Sequence, residues 1–162
     1  MSAFQIIVGS MLGGTEYVAE SCEEQLTSLN HEAIVHLTPK FSSIIEATII
    51  QDTRDFSTNS DQKHIWLVCT STHGAGDFPD NIQEFVNDLK NCEQDLSSIF
   101  FMIIAVGDSS YDTYCKAGFE LNKLLITKGC KELLPIKALD MSQDIDPEDL
   151  AQLWLSENKD LL

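Results

Sequence analysis

Positive charge is scarce in this chain. Ten Lys and Arg stand against 26 Asp and Glu in 162 residues, a formal charge of −16, and repulsion at that balance argues against nucleic acid and anionic membrane surfaces as partners. Basic-faced proteins are favoured instead, through steering that weakens with salt. Paired cysteines are missing as well. The five cysteines at 22, 69, 92, 115 and 130 form no Cys-x-x-Cys and have an odd total, which suits neither a disulfide framework nor a zinc site. The equal steps from 69 to 92 to 115 have unlike flanks and are not a repeat. No apolar run approaches the ~18 residues of a membrane span, and no charged-then-apolar segment precedes the first apolar run. A cytoplasmic protein with reduced thiols is the expectation. Composition is otherwise ordinary, and the length suits one domain over 1–162 with a proper core.

What is present is an alternation of apolar runs and amphipathic segments. Strands are expected at 4–8, 33–37, 64–70, 100–106 and 131–138, and helices near 15–29, 81–90, 114–128 and 147–161. That order implies an α/β fold, a doubly wound parallel sheet with helices on both faces. The middle strands are continuously apolar, as strands covered on both faces must be. Gly129 marks a helix stop, and Asp146-Pro147-Glu148-Asp149 opens the last helix with a proline in its first turn. Asp77 and Asp80 are expected to cap the helix beginning near Ile82. Between the second and third strands the chain is long: a helix near Phe41 to Thr48 is expected, then a mobile polar loop over 50–62, either idle or specific for a partner.

Three short runs follow three of the strands. Ser10-Met11-Leu12-Gly13-Gly14-Thr15 lies between an apolar strand and a helix, so its amides form a helix N-terminus that favours an anion. Gly13 and Gly14 let the backbone curl, and Ser10 and Thr15 add hydroxyls. The run holds no lysine or arginine, which excludes a Walker A motif and suits a monophosphate; alone, it is also compatible with a turn that binds nothing. Ser71-Thr72-His73-Gly74-Ala75-Gly76-Asp77 and Gly107-Asp108-Ser109-Ser110-Tyr111 each place one ring at a strand's carboxyl end. That edge, near the switch point of an open α/β sheet, is where ligands bind. Tyr111 either stacks on a flat ligand or ends its strand with the hydroxyl in solvent, and His73 either stacks or is merely exposed. His31, His36 and His64 have no motif around them and are assigned no role.

With these runs the chain resembles the flavodoxin family over nearly its whole length, a family that is itself a standard instance of the switch-point rule. The likeness is greatest to the short MioC-type flavodoxins, through Gly-Ser-x-Leu-Gly-Gly, Ser-Thr-His-Gly-Ala-Gly-Asp and Tyr-Asp-Thr-x-Cys. The FMN domains of diflavin reductases are similar in the second and third runs. The resemblance implies a five-stranded sheet of order 2-1-3-4-5 and bound FMN, with its phosphate on Ser10, Met11, Leu12, Gly13, Gly14 and Thr15. It places the isoalloxazine between the run Ser71, Thr72, His73, Gly74, Ala75 and Gly76 and the run Gly107, Asp108, Ser109 and Tyr111, with Tyr114 and Cys115 completing the site. Tyr111 would cover one ring face and His73 the other. Gly74 would turn its carbonyl toward the flavin on reduction, and Asp108 and Cys115, or their amides, would bond the pyrimidine end; Cys115 packing alone is the other reading. Leu12 stands where many members have a hydroxyl residue and Gly14 where many have Asn, so one phosphate bond is expected to be missing or supplied by an amide.

No metal ligand set, nucleophile or general base is identifiable, so an electron carrier is expected rather than an enzyme. The resemblance implies an NADPH-dependent flavodoxin reductase as donor, a metalloenzyme such as a radical-SAM protein as acceptor, and a monomer. Two rivals belong to other classes. An NAD(P)H:quinone reductase would oxidise NADPH steadily, and a regulatory module of the same fold would bind flavin weakly or not at all. A phosphate-accepting receiver domain needs an acidic pair after the first strand, where Gly9-Ser10 stands.

Overall fold

Alternating side chains along three apolar strands divide the core into two faces. The computed structural model describes residues 1–54 and 62–162, and no side chain from 50 to 61. In β1 (Ala3–Gly9), β3 (His64–Ser71) and β4 (Phe100–Gly107), the residues Phe4, Ile6, Val8, Ile65, Leu67, Cys69, Met102 and Ile104 pack on one side with Val18, Cys22, Leu26, Ala151 and Leu155. Ile7, Trp66, Val68, Phe101, Ile103 and Ala105 pack on the other with Ile44, Ile82, Phe85, Leu89 and Leu121. This is the period-2 pattern of strands covered on both faces. The covering helices are α1 (Gly14–Ser28) and α5 (Pro147–Glu157) on the first side, and α2 (Phe41–Arg54), α3 (Asp80–Asn91) and α4 (Lys116–Thr127) on the second. In α3 the buried set Ile82, Phe85, Val86 and Leu89 recurs at helical spacing, with charged residues on the far side.

With β2 at Glu32–His36, the sheet is parallel and ordered β2-β1-β3-β4-β5. The expected fifth strand over 131–138 is instead two pieces, β5 (Lys131–Glu132) and β6 (Lys137–Asp140), both paired with β4. Pro135 lies between them, and a proline has no N–H to give the ladder. Because the chain runs outward from β1 to β2 and then crosses back to β3, the switch point falls between β1 and β3. Register brings the carboxyl ends level: Gly9 pairs with Thr70, Ser71 with Val106 and Gly107 with Asp140. The loops after β1, β3, β4 and β6 therefore leave from one edge.

Helix ends are set by local chemistry. Asp146 Oδ1 accepts from the Asp149 amide at 3.0 Å, with Pro147 opening α5. After α4, Gly129 takes a left-handed φ of +94° while its amide bonds Ile126 O and the Cys130 amide bonds Leu125 O, each at 3.0 Å. The capping expected of Asp77 and Asp80 is not what starts α3. Pro79 occupies the cap without a side-chain bond, and Asp80 is the first helical residue, where its charge complements the dipole. Helix α2 runs past the expected end at Thr48 to Arg54, and the rest of the expected loop, 55–61, lies outside the described residues. All five cysteines are free thiols. Among the described residues no helix is long and apolar enough to cross a membrane.

Candidate functional site

The loop after β1 is short and tightly tied. Gly13 has φ +88°, a left-handed conformation that favours glycine, and it caps α1 with no side-chain bond to the helix. The Glu16 amide bonds Gly13 O at 3.1 Å, and the amides before it, of Gly14 and Thr15, are the ones open to a ligand. Ser10 Oγ accepts from the Gly13 amide at 3.1 Å and keeps its own proton to donate. Thr15 is buried at 3% exposure behind the loop, whereas Leu12 stands 98% exposed at its tip. The side chain that stands where the resemblance implies a hydroxyl residue is therefore held out in solvent.

The loop after β3 folds back on itself. His73 and Asp77 exchange two backbone bonds of 2.8 Å, and the reversal between them uses Gly74 at φ +51° and Gly76 at φ +105°. His73 and Gly74 are exposed. The Gly74 carbonyl accepts only a long bond, 3.5 Å, from Thr113 Oγ1. Thr72 Oγ1 accepts from the Ala117 amide at 3.1 Å, so this loop is fastened to the start of α4.

The loop after β4 presents Tyr111 at 68% exposure. Asp108 Oδ1 accepts from the Ser110 amide at 2.9 Å and from its hydroxyl at 2.5 Å. Cys115, left-handed at φ +54° and 1% exposed, lays its Sγ 3.5 Å from Ala105 O. Both side chains thus face protein groups. Asp140, at the end of β6, accepts the Ser109 and Ser142 amides on Oδ1, each at 3.0 Å. These bonds hold its carboxyl well below the usual carboxylate range. Burial pushes the Cys115 thiol up to about 11 and the Tyr114 hydroxyl up to about 12, so both groups are neutral at physiological pH.

Two cavities meet across this edge. One of about 420 Å³ is lined by Ser10, Met11, Leu12, Gly14, Thr15, Ser71, Thr72 and His73, together with Tyr17, Val18, Val106, Met141, Pro147 and Glu148. The other, about 430 Å³, is lined by Ser71, Thr72, Gly74, Val106, Gly107, Asp108, Tyr111, Thr113, Tyr114 and Cys115. They share Ser71, Thr72 and Val106, so they form one two-part cleft at the switch point. Four residues expected in the site, Gly13, Ala75, Gly76 and Ser109, line neither part. Gly13 and Ser109 shape the loop backbones, and Gly76 lies against Lys116 on the far side of its turn. The sequence reading missed Tyr17, one helical turn beyond Gly14, and Met141 and Glu148, which reach the cleft from the last strand and helix.

The donor set fits FMN. A helix N-terminus without a side-chain cap, hydroxyls at Ser10 and Thr15 and no cation in the loop suit a monophosphate. Exposed rings at His73 and Tyr111 flank a cleft whose adjoining wall carries the neutral Tyr114 and Cys115, which suits a flat aromatic ligand.

Comparison with known proteins agrees with this architecture. The family model for flavodoxin matches residues 6–154. Protein MioC of Escherichia coli O157:H7 is 40% identical over 158 residues, covering 96% of this chain and 95% of that protein. Flavodoxin YqcA of Escherichia coli strain K12 is 31% identical over 157 residues, covering 97% and 96%. A solved point mutant of flavodoxin from Pseudomonas aeruginosa superposes with a TM-score of 0.83 at 27% identity, covering 100% of this chain and 99% of that one.

Proposed function

The chain belongs to the flavodoxin family, and from that premise we propose that it is an FMN-binding electron carrier, taking electrons from an NADPH-dependent flavoprotein reductase and passing them to an acceptor metalloenzyme. The observation that carries this reading is the two-part cleft, cation-free and amide-rich in the part that His73 also lines, with the exposed ring of Tyr111 in the other part. When bound, FMN supplies one- and two-electron transfer. The protein's part is to hold, orient and tune it.

The amides at the start of α1, with the Ser10 and Thr15 hydroxyls, hold the phosphate. Tyr111 and His73 cover the ring faces. Because the side chains of Asp108 and Cys115 face protein groups, their backbone amides are the donors left for the pyrimidine end. The Gly74 carbonyl is held by a long bond from Thr113, and a glycine peptide turns at little steric cost, so this oxygen would be placed to accept a hydrogen bond from a bound ring. No side chain here is placed as a nucleophile or general base. The formal charge of −16 makes basic-faced redox proteins the natural partners, with a radical-SAM protein as one acceptor of that kind. A monomer working in the cytoplasm completes the reading.

Titration of the apoprotein with FMN, followed by anaerobic reduction under visible spectroscopy, tests it. Quenching of flavin fluorescence at micromolar FMN and two resolved one-electron steps are expected. A protein that stays colourless and leaves FMN fluorescent removes the proposal, and steady NADPH oxidation by the protein alone replaces it with a reductase.

A further inference from the structure

Asn81, the second residue of α3, lines neither part of the cleft, yet its carboxamide joins three chain segments beside it. Its Oδ1 accepts from the Ser10 amide at 2.9 Å, and its Nδ2 donates to Val8 O at 2.8 Å and Leu37 O at 2.9 Å. Only one orientation of the amide satisfies all three bonds. Turning it over would set an NH₂ against an N–H and an oxygen against two carbonyls. Ser10, fixed through its amide, in turn accepts the Gly13 amide on Oγ. A continuous chain of bonds therefore runs from α3 through Asn81 and Ser10 to Gly13, the residue that caps α1.

A phosphate loop with no lysine depends on where its dipoles point, because no mobile cation can compensate for a misaimed amide. From this we propose that Asn81 is a positioning residue for the phosphate loop, holding its amides in the binding arrangement before the ligand arrives, and so sets the preference for phosphorylated over unphosphorylated flavin. The proposal rests on the FMN reading above. Asn81 touches neither ligand nor ring; it acts through Ser10. Removing it takes this partner from the Ser10 amide and from the carbonyls of Val8 and Leu37 and frees the loop, which costs some stability, and the loss in binding falls on the phosphate rather than on the ring.

The experiment compares dissociation constants for FMN and for riboflavin in the wild-type protein and in Asn81→Ala, with amide hydrogen exchange of the apoproteins alongside. The ratio of FMN to riboflavin affinity is expected to fall about tenfold or more, with riboflavin binding changed less than about twofold, and the Ser10 and Gly13 amides are expected to exchange faster. An unchanged ratio in a folded variant overturns the inference. A wild-type protein with no preference for FMN overturns the functional reading instead, a result seen before any variant is measured. Should Asn81→Ala fail to fold, Asn81→Ser, which keeps one short polar group, carries the same comparison and is expected to lose part of the ratio; no loss overturns the inference.

Discussion

At the phosphate loop the polar groups are neutral and largely buried, whereas at the ring loops they are exposed and one anchor is a carboxylate. Asn81 fixes Ser10 with a carboxamide that does not titrate, and Thr15 sits behind the loop at 3% exposure. On the other side Tyr111 is 68% exposed, and the loop that carries it is tied to Asp140 through the amides of Ser109 and Ser142. The difference suits the chemistry proposed for each end. A dianion is bound by dipoles aimed in advance, while a flat ring is bound by surfaces left uncovered until it arrives.

The largest break in this contrast is expected from the exposed side. Tyr111→Ala should weaken binding of FMN and riboflavin alike by about 2 kcal/mol, near the alanine-substitution cost of base–aromatic stacking, with flavin fluorescence regained in the complex. Equal affinity in variant and wild type would falsify the stacking role. Thr15→Ala should cost about 1 kcal/mol of FMN affinity and leave riboflavin unaffected, because it removes a phosphate hydroxyl and nothing from the ring side. Competition between the two flavins reads this directly.

Acid separates the two regions in another way. The Asp140 carboxyl is held below its ordinary 3.8 by its serine partners, so its contribution is complete above that value and is lost as pH falls through the folded pKa. The ring loop should loosen in strong acid before the phosphate loop does, which exchange of the Ser109 and Ser10 amides can follow. His36 acts at milder pH. Burial lowers its pKa from 6.5, so the unfolded chain takes up the proton first and stability declines as pH drops below 6.5. Its Nε2 is 2.6 Å from Gln5 Oε1, and it precedes the Leu37 carbonyl that Asn81 holds. A His36→Gln variant should show a flatter melting temperature between pH 6.5 and 5 than wild type. The smallest effect belongs to Leu12→Ser: with its side chain 98% exposed, stability should move by less than about 0.5 kcal/mol, and a larger loss on thermal melting would contradict its placement in solvent.

Much of the molecule was legible because its signals are local. The apolar runs of β1, β3 and β4, the Asp146-Pro147 helix start and the Gly129 stop each follow from neighbours in sequence, and the three loop motifs inherit their common edge from the parallel order. The errors arise where one residue answers to a distant one. Asp77 and Asp80 carry the right chemistry for a cap, but the 73–77 turn and Pro79 decide how α3 begins. Asn81 reads as an unremarkable helix residue until the folded chain brings Ser10, Val8 and Leu37 around it. Met141 and Glu148 reach the cleft only because β6 ends level with β4. Pro135 divides an apolar run that otherwise has the length and composition of one strand.

That proline bears on how the molecule behaves in company. β5 and β6 form one margin of the sheet, opposite β2, and a straight strand there would present a row of unpaired amides and carbonyls to any passing chain. Instead the margin consists of a two-residue and a four-residue piece, each opened by a lysine, Lys131 and Lys137, with a proline between them. Short pieces, lysines and proline are the means by which sheet margins resist adding a foreign strand, so this edge is a poor template for pairing with another chain.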